Sequence, residues 1–78
     1  MQFTVQVHTV LNEPLLDTLA ALDAAIFPSP FSKRVFEREL QHRHHLSVLV
    51  AAVDQVSSAY KIGFEQSPDV YYSFSGGV

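Results

Sequence analysis

Three closely spaced histidines, His42, His44 and His45, are the first candidates for chemistry in this chain. Imidazole is a common metal ligand, and on a helix His42 and His45 would share a face at i, i+3 spacing. The sequence contains no cysteine, however, and Glu39 is the only close carboxylate on that face. Histidines are also favoured at helix C-termini, where the macrodipole stabilises their positive charge. We therefore predict no metal site here, and we place His8 on a strand surface.

The glycine pair Gly76-Gly77 near the carboxyl end is the second candidate. Glycine has no Cβ, so a ligand can approach such a backbone closely. The alternative is a flexible terminus, and the sequence leaves these two interpretations open.

Composition limits the classes of function. The chain has 78 residues, of which 47% are hydrophobic and 17% charged, a globular balance in a size that allows at most one domain. Without cysteine there is no disulfide, thiolate ligand or cysteine nucleophile. The net charge of -3 gives no basic surplus for a nucleic-acid partner. There is no basic leader and no apolar run of the roughly 20 residues that span a membrane. We expect a soluble cytoplasmic protein with no membrane partner.

The first half of the chain predicts a strand and two helices. Apolar and polar residues alternate over residues 3–10, with Phe3, Val5 and Val7 on one face, as in a half-buried strand. Asn12 and Pro14 then signal a helix start, and its apolar stripe runs along Leu15, Leu19, Leu22 and Ile26, with Asp17 and Asp23 off the stripe. Prolines interrupt residues 27–32. Ser32 caps a second helix over residues 33–44, with a possible Lys33–Glu37 ion pair.

The second half predicts three strands. Residues 46–53 are almost wholly apolar, as in a central strand, and residues 59–66 and 70–75 alternate. Turns are predicted at residues 54–58 and 67–69. The fold class is therefore α+β, in the order β-α-α-β-β-β. Short turns make the last three strands an antiparallel meander, the first strand joins that sheet, and the helices cover the apolar face of the sheet.

Several stretches, in this order, resemble the opening of the GNAT superfamily of acyl-CoA N-acyltransferases. The segments LAALDAAIF (19–27) and PSPFSKRVFEREL (28–40) are similar to its first two helices and the proline-aromatic loop between them. VLVAAVD (48–54), AYKIGFE (59–65) and YYSFSGGV (71–78) are similar to its second, third and fourth strands. The resemblance covers nearly the whole chain.

The resemblance implies transfer of an acetyl or acyl group from acyl-CoA to an amine or peptide. The family's Arg/Gln-x-x-Gly-x-Gly/Ala loop, which cradles the pyrophosphate of acetyl-CoA, does not occur in the sequence. We therefore expect residues 1–78 to be a single partial domain, the amino-terminal half of such an enzyme. On this view the isolated chain is inactive and does not hold acetyl-CoA tightly.

The resemblance also implies site residues. Main-chain amides at the end of the fourth strand would donate to the thioester oxygen, and the cofactor-binding residues would be Ser75, Gly76, Gly77 and Val78. Phe31, Tyr71 and Tyr72 would contact the acceptor substrate, while Phe27 is expected in the core.

The catalytic base stays unassigned at this point. Tyr71 stands where one branch of the family has a glutamate base. Glu65 and Asp69 lie nearby, but solvated turn charges are the simpler interpretation of both.

A non-catalytic interaction module is the alternative function. The last strand would be a sheet edge with unpaired amides, and such edges recruit other strands. This hypothesis predicts a homo-oligomer that pairs through the last strand.

Overall fold

The computed structural model of the chain describes residues 2–77. Its elements follow the predicted order: β1 (Phe3–His8), α1 (Glu13–Ile26), α2 (Lys33–Leu40), β2 (His44–Val53), β3 (Val56–Ser67) and β4 (Val70–Gly77). The four strands form one antiparallel sheet in the order β1-β2-β3-β4. The α+β fold class is confirmed, with β2 in the interior of the sheet as predicted.

The helices begin where side chains cap their first turns. The side chain of Asn12 accepts a hydrogen bond from the Leu15 amide at 2.9 Å, and Ser32 does the same for Val35 at 3.3 Å. Helix α2 ends at Leu40, four residues before its predicted end, because the backbone becomes extended at Gln41 and then enters the left-handed region at His42.

The predicted ion pair between Lys33 and Glu37 does not form. Lys33 pairs instead with two carboxylates of α1. Its ammonium group contacts Glu13 and lies 2.9 Å from Oδ1 of Asp17, so it ties the start of α2 to the first half of α1. The hydrogen bond to Glu13, with that to Asp17 next in importance, raises the pKa of Lys33.

Several strand boundaries differ from the prediction. Strand β1 ends at His8 and β2 begins at His44, each two residues earlier than predicted. Strand β3 runs from Val56 to Ser67, and its early start reflects the two-residue turn of Asp54 and Gln55 between β2 and β3. Both turn residues have positive φ, 50° and 69°, as in the type I′ turns that suit the twist of a hairpin. Strand β4 continues to Gly77.

The core lies between the helices and one face of the sheet. Its buried apolar side chains come from both helices and from β2 and β3: Leu15, Leu16, Leu19, Leu22, Phe36, Leu40, Leu46, Val48, Val50, Tyr60, Ile62 and Phe64. The predicted stripe of α1 and the inward row Tyr60, Ile62 and Phe64 are confirmed.

Strand β1 faces the opposite way from the one predicted. Gln6 pairs with the buried Val50, so Thr4, Gln6 and His8 share the face on which the helices pack. Phe3, Val5 and Val7 point to the other side of the sheet, where each is about half exposed or more. We call this second side the outer face. The helices therefore do not cover the apolar side of β1.

Candidate functional site

The end of β4 holds the predicted cofactor-binding residues, and it is part of the sheet. Gly76 lies opposite Lys61 and Gly77 opposite Tyr60, so the glycine pair is not a loose tail. Val78 lies outside the described residues. Strand β4 is an edge of the sheet, and on the side away from β3 its backbone groups have no partner strand among residues 2–77.

A β-bulge interrupts β4 directly before this segment. Ile62 lies opposite Ser75 whereas the next residue, Gly63, lies opposite Ser73, so Phe74 is the extra residue. A bulge leaves its extra residue unpaired and re-aims the side chains around it. Phe74 and Ser75 consequently both turn toward the helix side of the sheet, instead of alternating as the sequence pattern predicted.

Ser75 belongs to a buried polar network. Its Oγ lies 3.1 Å from the hydroxyl of Tyr60, and that hydroxyl also donates a hydrogen bond to Oδ1 of Asp23. The second carboxylate oxygen of Asp23 accepts from the Phe31 amide at 2.6 Å. The network joins α1, the proline loop that follows it, β3 and β4 through one carboxylate.

This network buries a charged group and changes the pKa of its tyrosine. Asp23 is 2% exposed and is the one buried charged residue in the described part of the chain. Burial, and next the hydrogen bond to the Asp23 carboxylate, raises the pKa of Tyr60 from 10.0 to about 12. Tyr60 therefore stays a neutral donor over the whole physiological range of pH.

The sequence pattern does not predict this network, because Asp23 lies off the predicted apolar stripe of α1. A signal was present, since Asp23 follows Leu19 by four residues and precedes Ile26 by three, which is core spacing. It also lies in the last turn of α1, where the macrodipole disfavours a carboxylate. A carboxylate at such a position needs donors from another element, and Tyr60 and Phe31 supply them.

Phe31, a predicted substrate contact, lies in the middle of a row of aromatic rings. Its ring centroid is 5.6 Å from that of Phe36, edge to face, and 5.9 Å from that of Phe74. The ring still has an exposed side. Phe27, which was expected in the core, is 38% exposed and lies beside Gly77.

Tyr71 and Tyr72, the other predicted substrate contacts, lie on opposite faces of the sheet. Tyr72 is on the helix side and packs on Phe64 with ring centroids 5.4 Å apart, in the same aromatic row as Phe31. Tyr71 is on the outer face, where its ring lies over Gly63 and its hydroxyl donates to the His45 carbonyl oxygen at 3.3 Å. The structure thus groups Phe31 with Tyr72 and separates both from Tyr71.

Glu65 and Asp69, the carboxylates that lie near Tyr71 in the sequence, are at the end of the β3–β4 hairpin where the chain turns. Glu65 lies opposite Tyr71, and its carboxylate contacts the Nδ1 atom of His45. Asp69 is exposed in the turn between β3 and β4. The predicted donors at Ser75 to Gly77 are at the other end of β4.

The three clustered histidines do not form a helical pair. His42 follows the end of α2, and His44 and His45 are the first residues of β2, so the predicted i, i+3 arrangement is wrong. Residues 2–77 contain no group of three or more His, Asp or Glu side chains able to hold a metal ion.

The outer face holds a groove of about 540 Å³ to which all four strands contribute. Many of its lining residues are small: the lining comprises Val5, Leu49, Ala51, Ala59, Tyr60, Lys61, Ser73, Ser75, Gly76 and Gly77. The groove therefore runs beside the segment in which acyl-group donors were predicted.

Comparison with protein-family models, with curated proteins and with solved structures found no match for this chain. In the described part of the chain no helix has both the length and the apolar character of a transmembrane segment.

Proposed function

We propose that this chain is the amino-terminal part of a GNAT-type N-acyltransferase, in which the end of β4 receives the acyl group of acetyl-CoA. The observation that carries the proposal is the bulge at Phe74 in an edge strand, directly before Ser75, Gly76 and Gly77. A thioester oxygen that becomes negative during acyl transfer is stabilised by fixed amide donors. An edge strand offers such amides, and two glycines admit the ligand close to the backbone.

The surroundings of this segment favour the same role. The Tyr60 hydroxyl holds Ser75 from the helix side, so the backbone after the bulge is fixed before any ligand arrives. Preorganised donors of this kind need no reorganisation during reaction. The acceptor would approach along the aromatic side chains of Phe31 and Tyr72, which flank the network on the helix side.

The isolated chain is expected to bind acetyl-CoA weakly and to transfer no acetyl group, because the sequence contains no Gly-rich loop for the pyrophosphate. A cytoplasmic location, where acetyl-CoA and amine acceptors meet, is part of the same proposal.

A titration of the ¹⁵N-labelled chain with acetyl-CoA, followed by NMR, tests the site. The amides of Ser75, Gly76 and Gly77 should shift with acetyl-CoA and much less with CoA, which has no thioester carbonyl. Val70 and Tyr71, at the other end of the same strand, serve as internal controls. Equal shifts with both ligands would remove the oxyanion role, and rapid acetyl transfer to a peptide amine would contradict the expected inactivity.

A second candidate function is an interaction module that pairs through β4. The observation in its favour is that Val70–Gly77 is an edge strand without a charged residue or proline, so that the bulge at Phe74 is the one device that interrupts this edge. Such pairing would protect the outward amides of β4 from hydrogen exchange in a concentration-dependent way. Protection that is unchanged on dilution would exclude it.

A further inference from the structure

The outer face of the sheet is an apolar surface that neither helix covers. Eight apolar side chains from β1, β2 and the start of β3 lie on it, as the strand register shows: Phe3, Val5, Val7, Leu49, Ala51, Val53, Val56 and Ala59. Phe3, Val7 and Val56 are each more than 60% exposed. A contiguous exposed apolar patch of this kind marks an interaction surface.

The total surface of the molecule is larger than its mass requires. The accessible area is 5300 Å² for 8.7 kDa. A compact monomer of that mass has about 4,700 Å², which leaves an excess of roughly 600 Å². A standard stable interface buries about 800 Å² on each partner. The excess area is therefore similar to the area that one partner buries in a protein–protein interface.

The shape of the outer face makes it complementary to itself. On β1 the side chains of Phe3, Val5 and Val7 form a ridge, which we call the β1 ridge. Beside it lies the groove of about 540 Å³, which Val5 borders and whose lining includes Ala51, Ala59 and Gly76. Ridge and groove are side by side, so a twofold axis between them places each ridge in the groove of the other copy, as in an isologous dimer.

The charges of the outer face favour a second copy of the chain as its partner. The strands place two charged side chains on it, Lys61 and Glu65, both on β3. One charge of each sign gives no attraction for an anionic membrane or an acidic peptide, which need a basic cluster. A second copy of the same apolar face, whose two charges cancel, is a better complement to the outer face.

We propose that two copies of this chain pack outer face to outer face, with the β1 ridge of each copy in the groove of the other. The result is a two-sheet sandwich with the helices on its outside, at the usual spacing of about 10 Å between sheets. The proposal differs from pairing through the edge of β4. It is an alternative to the acyltransferase proposal at this face, because the second copy would fill the groove beside Gly76 and Gly77.

Light scattering across a concentration series tests the dimer. The unmodified chain should form a dimer at micromolar concentrations, and Val5→Glu should raise its dissociation constant at least ~10-fold, because a carboxylate would be buried in an apolar interface. Gln6→Glu is the matched control, since it adds the same charge to the same strand on the other face. It should leave the dissociation constant unchanged. Val5→Thr, which keeps a β-branched side chain, should weaken the dimer to an intermediate degree.

Each other outcome overturns the proposal. A clean monomer at several hundred micromolar would show that the face has no second copy as its occupant, and binding of liposomes by that monomer would assign the face to lipid. A dimer that Val5→Glu leaves intact would indicate pairing through β4. If Val5→Glu does not fold, which circular dichroism would reveal, Val5→Thr and Gln6→Glu still decide, because equal dimerisation by both contradicts the face-to-face arrangement.

Discussion

The carboxylate of Asp23 in α1 accepts a hydrogen bond from the hydroxyl of Tyr60 in β3, inside the core of the protein. The two residues are 37 positions apart in the sequence. Within residues 2–77 every buried side-chain nitrogen and oxygen has a hydrogen-bond partner, and this pair accounts for the buried carboxylate. It joins the helical layer to the sheet at the place where β4 carries its bulge.

Asp23→Ala should destabilise the protein by about 2–3 kcal/mol, because it removes the acceptor of Phe31 N–H and leaves Tyr60 with Ser75 alone. Urea unfolding followed by circular dichroism measures the change. Asp17→Ala is the control on the same helix, since the Asp17 carboxylate is exposed at the surface, and it should cost less than about 1 kcal/mol. Equal costs for the two variants would contradict a structural role for the buried carboxylate.

The raised pKa of Tyr60 predicts how stability depends on pH. The folded protein keeps its proton up to about pH 12, whereas the unfolded chain loses it near 10.0. The folded state therefore binds more protons in this window, so the free energy of unfolding falls as pH rises from 10 to 12, by roughly 2–3 kcal/mol from this group. Below pH 10 the contribution is fully present.

Tyr60→Phe separates this effect from the titration of Lys33, whose raised pKa acts in the same direction. Stability of the variant should fall less steeply than that of the unmodified chain between pH 10 and 12. Absorbance at 295 nm should also show one fewer late-titrating tyrosine. Parallel stability curves for the two proteins would refute the assignment.

Gln55→Gly should stabilise the protein by about 0.5–1 kcal/mol. Gln55 adopts a φ of 69°, which is unfavourable for a side chain with a Cβ and free of cost for glycine. The change also creates an Asp-Gly pair, a preferred sequence for a type I′ turn. The midpoint of thermal unfolding should rise, and Gln55→Val, with a β-branched residue at the same φ, should lower it. A lower midpoint for the glycine variant would argue against the type I′ turn.

Gly63→Ala should displace the ring of Tyr71. A Cβ at position 63 would lie 2.5 Å from the Cε1 atom of Tyr71, so the ring must rotate away and its hydroxyl loses the His45 carbonyl. The cost should be about 1 kcal/mol, because the ring is partly exposed and has space to move. Pairing the change with Tyr71→Ala should abolish most of the cost, whereas additive costs would place the strain in the backbone.

Much of the fold was predictable from local patterns. The spacing of apolar residues from Leu15 to Ile26 predicts a helix, and the alternation of Tyr60, Ile62 and Phe64 predicts a strand. In both elements the predicted apolar face is the one that packs in the core. The orientation of β1 was not predictable, because alternation shows that Phe3, Val5 and Val7 share a face but not which side of the sheet that face joins. Register decides this, and the pairing of Gln6 with Val50 depends on contacts across the whole chain.

The polar network and the bulge were hidden for a related reason. Asp23 has core spacing, but a carboxylate is buried only where hydrogen-bond donors reach it, and its donors come from distant segments. The bulge at Phe74 shifts one residue in a pattern that otherwise alternates, and no glycine or proline at that position marks it.

The place of β1 in the sheet also determines the order in which the fold can be completed. Phe3 lies opposite Val53, whereas Val53 and Val56 are joined by a two-residue turn, so β1 waits for the longest-range pairing in the sheet. During synthesis β1 emerges before its partner β2, which follows only after both helices. Until then the apolar side chains of β1 have no strand to pair with in the nascent chain. Chaperones that bind exposed apolar segments therefore have a target in β1 that lasts until β2 is made.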